Sequence, residues 1–197
     1  MMNKVKTDGS MTYESYRKMT EDLLAQNKTT GENQSEEMIH YTKMNVTRMR
    51  RIDKHIPLSD ELKEVLDQIK KPQRWTVLTE PWCGDAAQIV PVFNKIAEEC
   101  PQITLDILLR DENLELMDQY LTNGGRSIPK LIVTDEESGD EIFNWGPRPA
   151  SAQKLVIELK ESGLPLMEMA TQLHTWYAKN KTEDTQAELV TELKAVI

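Results

Sequence analysis

Residues 79–91 read TEPWCGDAAQIVP. Just before them, RWTVLT (74–79) is short and rich in strand formers; just after, the chain is helix-like over 85–100 despite Pro91. Trp82, Cys83 and Gly84 therefore stand where a strand hands over to a helix, at the end of the helix whose first N–H groups have no intrahelical partner. Farther on, ITLDILL (103–109) reads as a strand. ENLELMDQYLT (112–122) reads as a helix behind a capping Asp111, and NGGRS as a loop. PKLIVTD (129–135) and DEIFNW (140–145) read as two strands joined by the hairpin-like EESG, and GPRP interrupts the chain before a helix at 150–162. The order β-α-β-α-β-β-α predicts an α/β fold with a mixed four-stranded sheet and helices on both faces.

Both flanks are helical in pattern. Over 12–26, Tyr16, Met19 and Leu23 recur at helical spacing; NKTTGENQ (27–34) is a polar loop. Ser35 caps a second helix running to about Arg51, and Ser59 a third that carries Leu62, Val65, Leu66 and Ile69 and ends at KKP (70–72). A long helical stretch fills 166–193 with a break near KNKTED, and residues 1–9 are polar and expected to fray. The expected organisation is a helical extension over 1–72, a core over 73–162 and a C-terminal helical extension over 163–197, together one compact unit.

The chain has 197 residues, 39% of them apolar and 29% charged, with 24 Lys and Arg against 33 Asp and Glu. A net charge of −9 argues against broad binding to nucleic acid or anionic membrane. No run approaches the roughly 20 apolar residues of a membrane helix, and the N-terminus lacks the apolar stretch of a secretory signal. The two cysteines, Cys83 and Cys100, form no disulfide framework and fit a reducing, cytoplasmic setting.

The element order with W-C-G at the start of the first core helix resembles the thioredoxin superfamily. Pro91, eight residues after Cys83, falls where thioredoxins carry the proline that kinks the active-site helix. RSIP (126–129) matches the segment ending in the family's cis-proline, here Ile128-Pro129, and WGPRP matches its bend before the last helix. With helical additions at both ends, the chain resembles bacterial thioredoxin family proteins that carry W-C-G-D. The resemblance covers about residues 73–162 and implies a site at Cys83 walled by Trp82. Arg126 and Pro129 would stand on a loop facing the sulfur, Arg126 would favour the thiolate, and the Ile128 backbone would pair with an extended substrate.

The departures from that pattern limit the chemistry. A dithiol enzyme needs a second cysteine at position 86, where this chain has Ala86. Cys100 cannot replace it: 17 residues of helix at ~1.5 Å each span roughly 25 Å, against about 7 Å for a disulfide. The acid that thioredoxins bury six residues before the cysteine is replaced by Val77. Cys83 at a helix N-terminus gains thiolate stability from N–H groups and the macrodipole. Asp85 raises the thiol pKa if it points inward, or bonds helix-end N–H groups instead; Gly84 joins the two.

Other candidates are weaker. His40, His55 and His174 make no metal-ligand spacing, and no metal is expected. The basic run TRMRRIDK (47–54) either complements a helix dipole or forms an anion pocket over the site if the N-terminal helices fold back. Arg148, between prolines, stabilises a turn or binds a carboxylate or phosphate near the cis-proline loop. NGGR (123–126) reads as a helix end and turn, and Trp145, Trp176 and Tyr177 as anchors of the tail. Two functions remain open. One is a monothiol thiol-disulfide oxidoreductase in which Cys83 forms mixed disulfides with a protein or peptide substrate. It would need no cofactor beyond a low-molecular-weight thiol co-substrate. The other is a non-catalytic module that binds a protein or peptide in the cis-proline groove.

Overall fold

The computed structural model describes residues 8–197. Three helices come first: α1 (Tyr13–Ala25), α2 (Glu36–His55) and α3 (Asp60–Leu66). The core follows as β1 (Gln73–Thr79), α4 (Ala86–Glu99), β2 (Ile103–Leu109), a short α5 (Leu114–Met117), β3 (Lys130–Asp135), β4 (Glu141–Trp145) and α6 (Ala150–Glu161). The chain ends in α7 (Leu166–Asn180) and α8 (Glu183–Lys194). The fraying expected over 1–9 falls largely outside the described residues.

The sheet order is β2-β1-β3-β4. β1 runs parallel to β2 and antiparallel to β3, and β3 and β4 form the hairpin, so this is the mixed four-stranded sheet expected. Alternation along each strand feeds two cores. Trp75, Val77, Ile107, Leu131 and Val133 face the larger, while Leu78, Leu108 and Ile132 face a smaller one with Met117 and Ile128. In the larger core Trp75 meets Phe93 and Phe143 edge-on at 6.1 and 6.3 Å, and Phe93 meets Trp145 at 5.9 Å. α4 is buried along most of its length because α2 packs across it. Met11 exchanges two backbone hydrogen bonds with Ile107, 2.9 Å each, and covers part of the free edge of β2.

The serine caps form where expected: Ser35 Oγ accepts from Met38 N–H at 3.4 Å and Ser59 Oγ from Leu62 N–H at 3.2 Å. The helix expected over 112–122 is the main difference. Only Leu114–Met117 is α-helical, behind a single 3-10 turn at Arg110–Glu112. Met117 is fully buried, but Leu114 and Leu121 are exposed, so no continuous apolar stripe supports further turns. The expected tail break is sharp: Lys181 and Thr182 both take left-handed backbone, with φ of 51° and 70°, and separate α7 from α8.

The tail closes on both flanks of the core. Glu188 of α8 accepts from the Trp145 indole N–H at 2.8 Å and from the Ala150 N–H at the start of α6 at 2.6 Å. Gln186 accepts from Ser59 N–H at 2.7 Å, and α8 packs against α3. Among the described residues no helix is long and apolar enough to cross a membrane.

Candidate functional site

β1 ends at Thr79, and a tight turn in which Cys83 N–H donates to the Glu80 carbonyl (3.0 Å) delivers Cys83 to the start of α4. Two backbone groups flank the sulfur. The Ala86 N–H reaches Sγ at 3.5 Å, and the S–H donates to the Ile128 carbonyl at 3.3 Å. Ile128 precedes Pro129 through a cis peptide bond. The bend at Gly146 holds that loop from behind: its φ is 111°, and a Cβ there would overlap the Pro129 carbonyl oxygen.

Asp85 is buried at 7% exposure. Its side chain makes no cap bond to α4. It turns instead to Arg148, whose Nε donates to Oδ2 at 3.1 Å and whose Nη2 completes an ion pair, while the Tyr177 hydroxyl donates to Oδ1 at 2.7 Å. Arg148 is thus engaged within the chain, where it ties the bend after β4 to the motif through Asp85 and also donates to Gln153 at 3.2 Å.

These surroundings hold Cys83 in its thiol form. Burial pushes its pKa up to about 12, and the Asp85 charge adds to the rise, outweighing the N–H groups of Ala86 and Asp85 and the Arg148 cation. The Ile128 carbonyl works in the same direction, since it accepts a hydrogen from the thiol and would repel a thiolate. At neutral pH such a group is almost wholly protonated, and the protonated form is a poor nucleophile.

Arg126 does not support the thiolate. Its Nε and Nη2 bind both oxygens of Asp118 at 2.6 and 2.8 Å on an exposed surface. The cation acting on Cys83 is Arg148, in the Gly146-Pro147 bend between β4 and α6. Trp82 walls the smaller core and stacks under the Arg110 guanidinium, 5.0 Å from its ring. Cys100 is buried and, like Cys83, free.

Gly84 lies under α7. A Cβ on it would come within 2.6 Å of His174 Nε2 and 3.8 Å of Arg48 Nη1. Gln88 links them further. Its oxygen accepts from Arg51 at 3.3 Å, which turns its amide nitrogen toward His174 Nδ1 at 3.4 Å and leaves the imidazole proton on Nε2. Burial and the nearby Arg48 charge bring His174 down to about 4, so it stays neutral. The N-terminal helices thus do fold back over the site, with Arg48 and Arg51 from the basic run.

Glu80 was missed in the sequence. Val77 is fully buried on β1, and Glu80, three residues before Cys83, is fully buried as well. One of its oxygens accepts from the Asp111 N–H at 2.9 Å and the other from the Thr30 hydroxyl, and burial raises its pKa. The signal was a glutamate in the first position after the strand-forming run WTVLT. Beside it opens a pocket of about 760 Å³ between the 31–33 loop, the end of β2 and Arg126. Among the described residues no three His, Cys, Asp or Glu side chains cluster so as to hold a metal ion.

A family model described as Thioredoxin matches residues 31–160. Among solved structures, a protein of unknown function from Pseudomonas aeruginosa shares 16% identity over 97% of this chain and 96% of its own, with a TM-score of 0.61. An HIV epitope-scaffold shares 18% identity over 90% of this chain and 98% of its own, with a TM-score of 0.58. At these identities the likeness is one of fold. No curated protein sequence matches the chain.

Proposed function

Since the chain belongs to the thioredoxin family, we propose that it keeps that fold as a binding module and that Cys83 is not a turnover nucleophile. The observation that carries this reading is the thiol bonded to the Ile128 carbonyl at 3.3 Å while a buried carboxylate stands two residues away. Both favour the proton staying on sulfur. The pocket between the 31–33 loop, the end of β2 and Arg126, with Trp82 against Arg110 at its edge, would receive an extended protein or peptide segment.

The monothiol reading stands second. It is favoured by the half-buried state of Cys83 and by the Ala86 N–H directed at its sulfur, a donor suited to a thiolate. The Cys83 thiolate would attack the small-thiol sulfur of a substrate mixed disulfide and free the substrate thiol. A second small thiol would then attack the sulfur joined to Cys83, departing as the small-thiol disulfide and freeing the Cys83 thiolate. The pH dependence of Cys83 alkylation, together with turnover of a glutathionylated peptide by wild type and Cys83→Ser, separates the two. The binding reading expects a thiol titrating well above a free cysteine and no Cys83-dependent turnover. Turnover that disappears in Cys83→Ser would overturn it.

A further inference from the structure

Tyr177 is the one buried residue of α7 among those assigned to it, and the helix starts with Leu166 and Met167 at 72% and 70% exposure. The helix packs on α6 and reaches the core through Leu173, Trp176 and Tyr177, and its polar bonds converge on the Cys83 motif. Tyr177 holds Asp85 at 2.7 Å, His174 meets Gln88 at 3.4 Å, and the same imidazole lies over Gly84. α8 is held differently, by buried Leu189, Val190 and Leu193 and by the two bonds of Glu188. Between the two helices Lys181 and Thr182 keep left-handed backbone that non-glycine residues adopt at a cost. Before α7, Gly163 has a φ of 71° and open space around it. A helix exposed at its first turn, held through its C-terminal half and bounded by two turns can come away while α8 stays in place.

We propose that α7 is a releasable latch over the Cys83 motif, closed by Tyr177 on Asp85 and His174 on Gly84, and that its release makes Cys83 reactive. The inference is independent of what the pocket binds, because it concerns the cover that α7 places on the motif. Release removes Tyr177 from the core beside Cys83 and lets water reach the sulfur; this outweighs the loss of one donor on Asp85, which by itself favours the thiol. The chemistry need be no more than exposure of a thiol that an added electrophile can reach.

Two variants test it in the full chain. Gly84→Ala places a methyl group against His174, and Tyr177→Phe removes one hydrogen bond with little change of shape. Both are expected to quicken amide exchange across 166–180 while leaving 183–194 protected. Both are also expected to speed iodoacetamide labelling of Cys83, read on its own peptide by mass spectrometry. The acceleration should be about tenfold for each unit by which the thiol pKa falls. Adding His174→Ala to Gly84→Ala removes the overlap and should return both readings to those of His174→Ala alone. Unchanged exchange in α7 for both variants overturns the latch. Faster exchange with unchanged or slower labelling overturns its control of Cys83, whatever the partner-binding experiments give.

Discussion

The Tyr177 hydroxyl donates to Asp85 Oδ1 at 2.7 Å, joining residues 92 positions apart. It makes the aspartate of the W-C-G-D motif a structural centre: one oxygen holds the tail, the other holds Arg148 from the bend after β4. Removing that carboxylate therefore acts on stability and on the thiol together. Asp85→Asn should destabilise the protein by about 3 kcal/mol, because Arg148 is left buried without its counter-charge. It should also speed alkylation of Cys83, since the second cause of its raised pKa is gone while the cation remains. Arg148→Met should likewise destabilise the fold but slow alkylation. Urea unfolding and timed labelling of the two variants check the pair of signs.

Cys83 predicts a loss of stability in mild alkali. Its folded pKa is raised to about 12, so an unfolded chain gives up that proton at lower pH than the native one. Stability is then full below the unfolded value, about 8.5, and falls as pH rises from there toward the folded value. Between pH 8 and 10 the urea midpoint of wild type should fall more steeply than that of Cys83→Ser. Equal slopes would show that the thiol is not held as described.

His174 acts at the other end of the scale. A base whose folded pKa is lowered to about 4 destabilises the native state once the unfolded histidine begins to take up protons. Stability should decline as pH falls from about 6.5 toward 4, where the unfolded imidazole is charged and the native one is not. His174→Gln, which keeps a polar side chain but cannot titrate, should flatten the thermal midpoint between pH 7 and 5. The groups around it, Gln88 and Arg48, do not change charge in that interval.

Gly146 and Gly124 make a matched comparison. Both have positive φ, 111° and 76°, but only Gly146 backs onto the Pro129 carbonyl, while Gly124 has nothing within 4 Å. Alanine at 124 should lower stability by about 1 kcal/mol from backbone conformation alone. Alanine at 146 adds the overlap and should lower it by more than about 3 kcal/mol. Chemical denaturation of the two single variants reads the difference directly.

Arg126→Ala should leave both the unfolding midpoint and the labelling rate of Cys83 where they are in wild type. The guanidinium sits with Asp118 on the exposed surface, in an arrangement that contributes little. A change in labelling would return Arg126 to the neighbourhood of the sulfur.

The fold was legible because its signals are local and redundant. The strand ITLDILL, the caps Ser35 and Ser59, and Pro91 set eight residues beyond Cys83 each state their structure in a few adjacent letters. The α5 segment misled because Leu114 and Leu121 share a helical spacing yet neither is buried, and spacing alone does not report burial. Within the site, Cys83, Trp82 and Pro129 were visible as motif letters. The partners of Asp85 were not. Arg148 and Tyr177 arrive from 63 and 92 positions away, and no periodicity records which long-range carboxylate a guanidinium will meet. Arg126 and Arg148 both lie near prolines in loops of similar composition, and only the turn of the backbone at Gly146 decides which one faces the motif.

The hydrogen bond from Ser59 to Gln186 spans 127 positions. The outer side of α3 is therefore finished by a helix synthesised long after it, when the whole sheet has already been made. During translation the N-terminal helices can gather on α4 as soon as it emerges, but the side of α3 that meets α8 stays uncovered until α8 follows. The same order sets the time at which Asp85 receives Tyr177, so a nascent chain passes through a stage in which its sheet is complete and its cysteine is still uncovered.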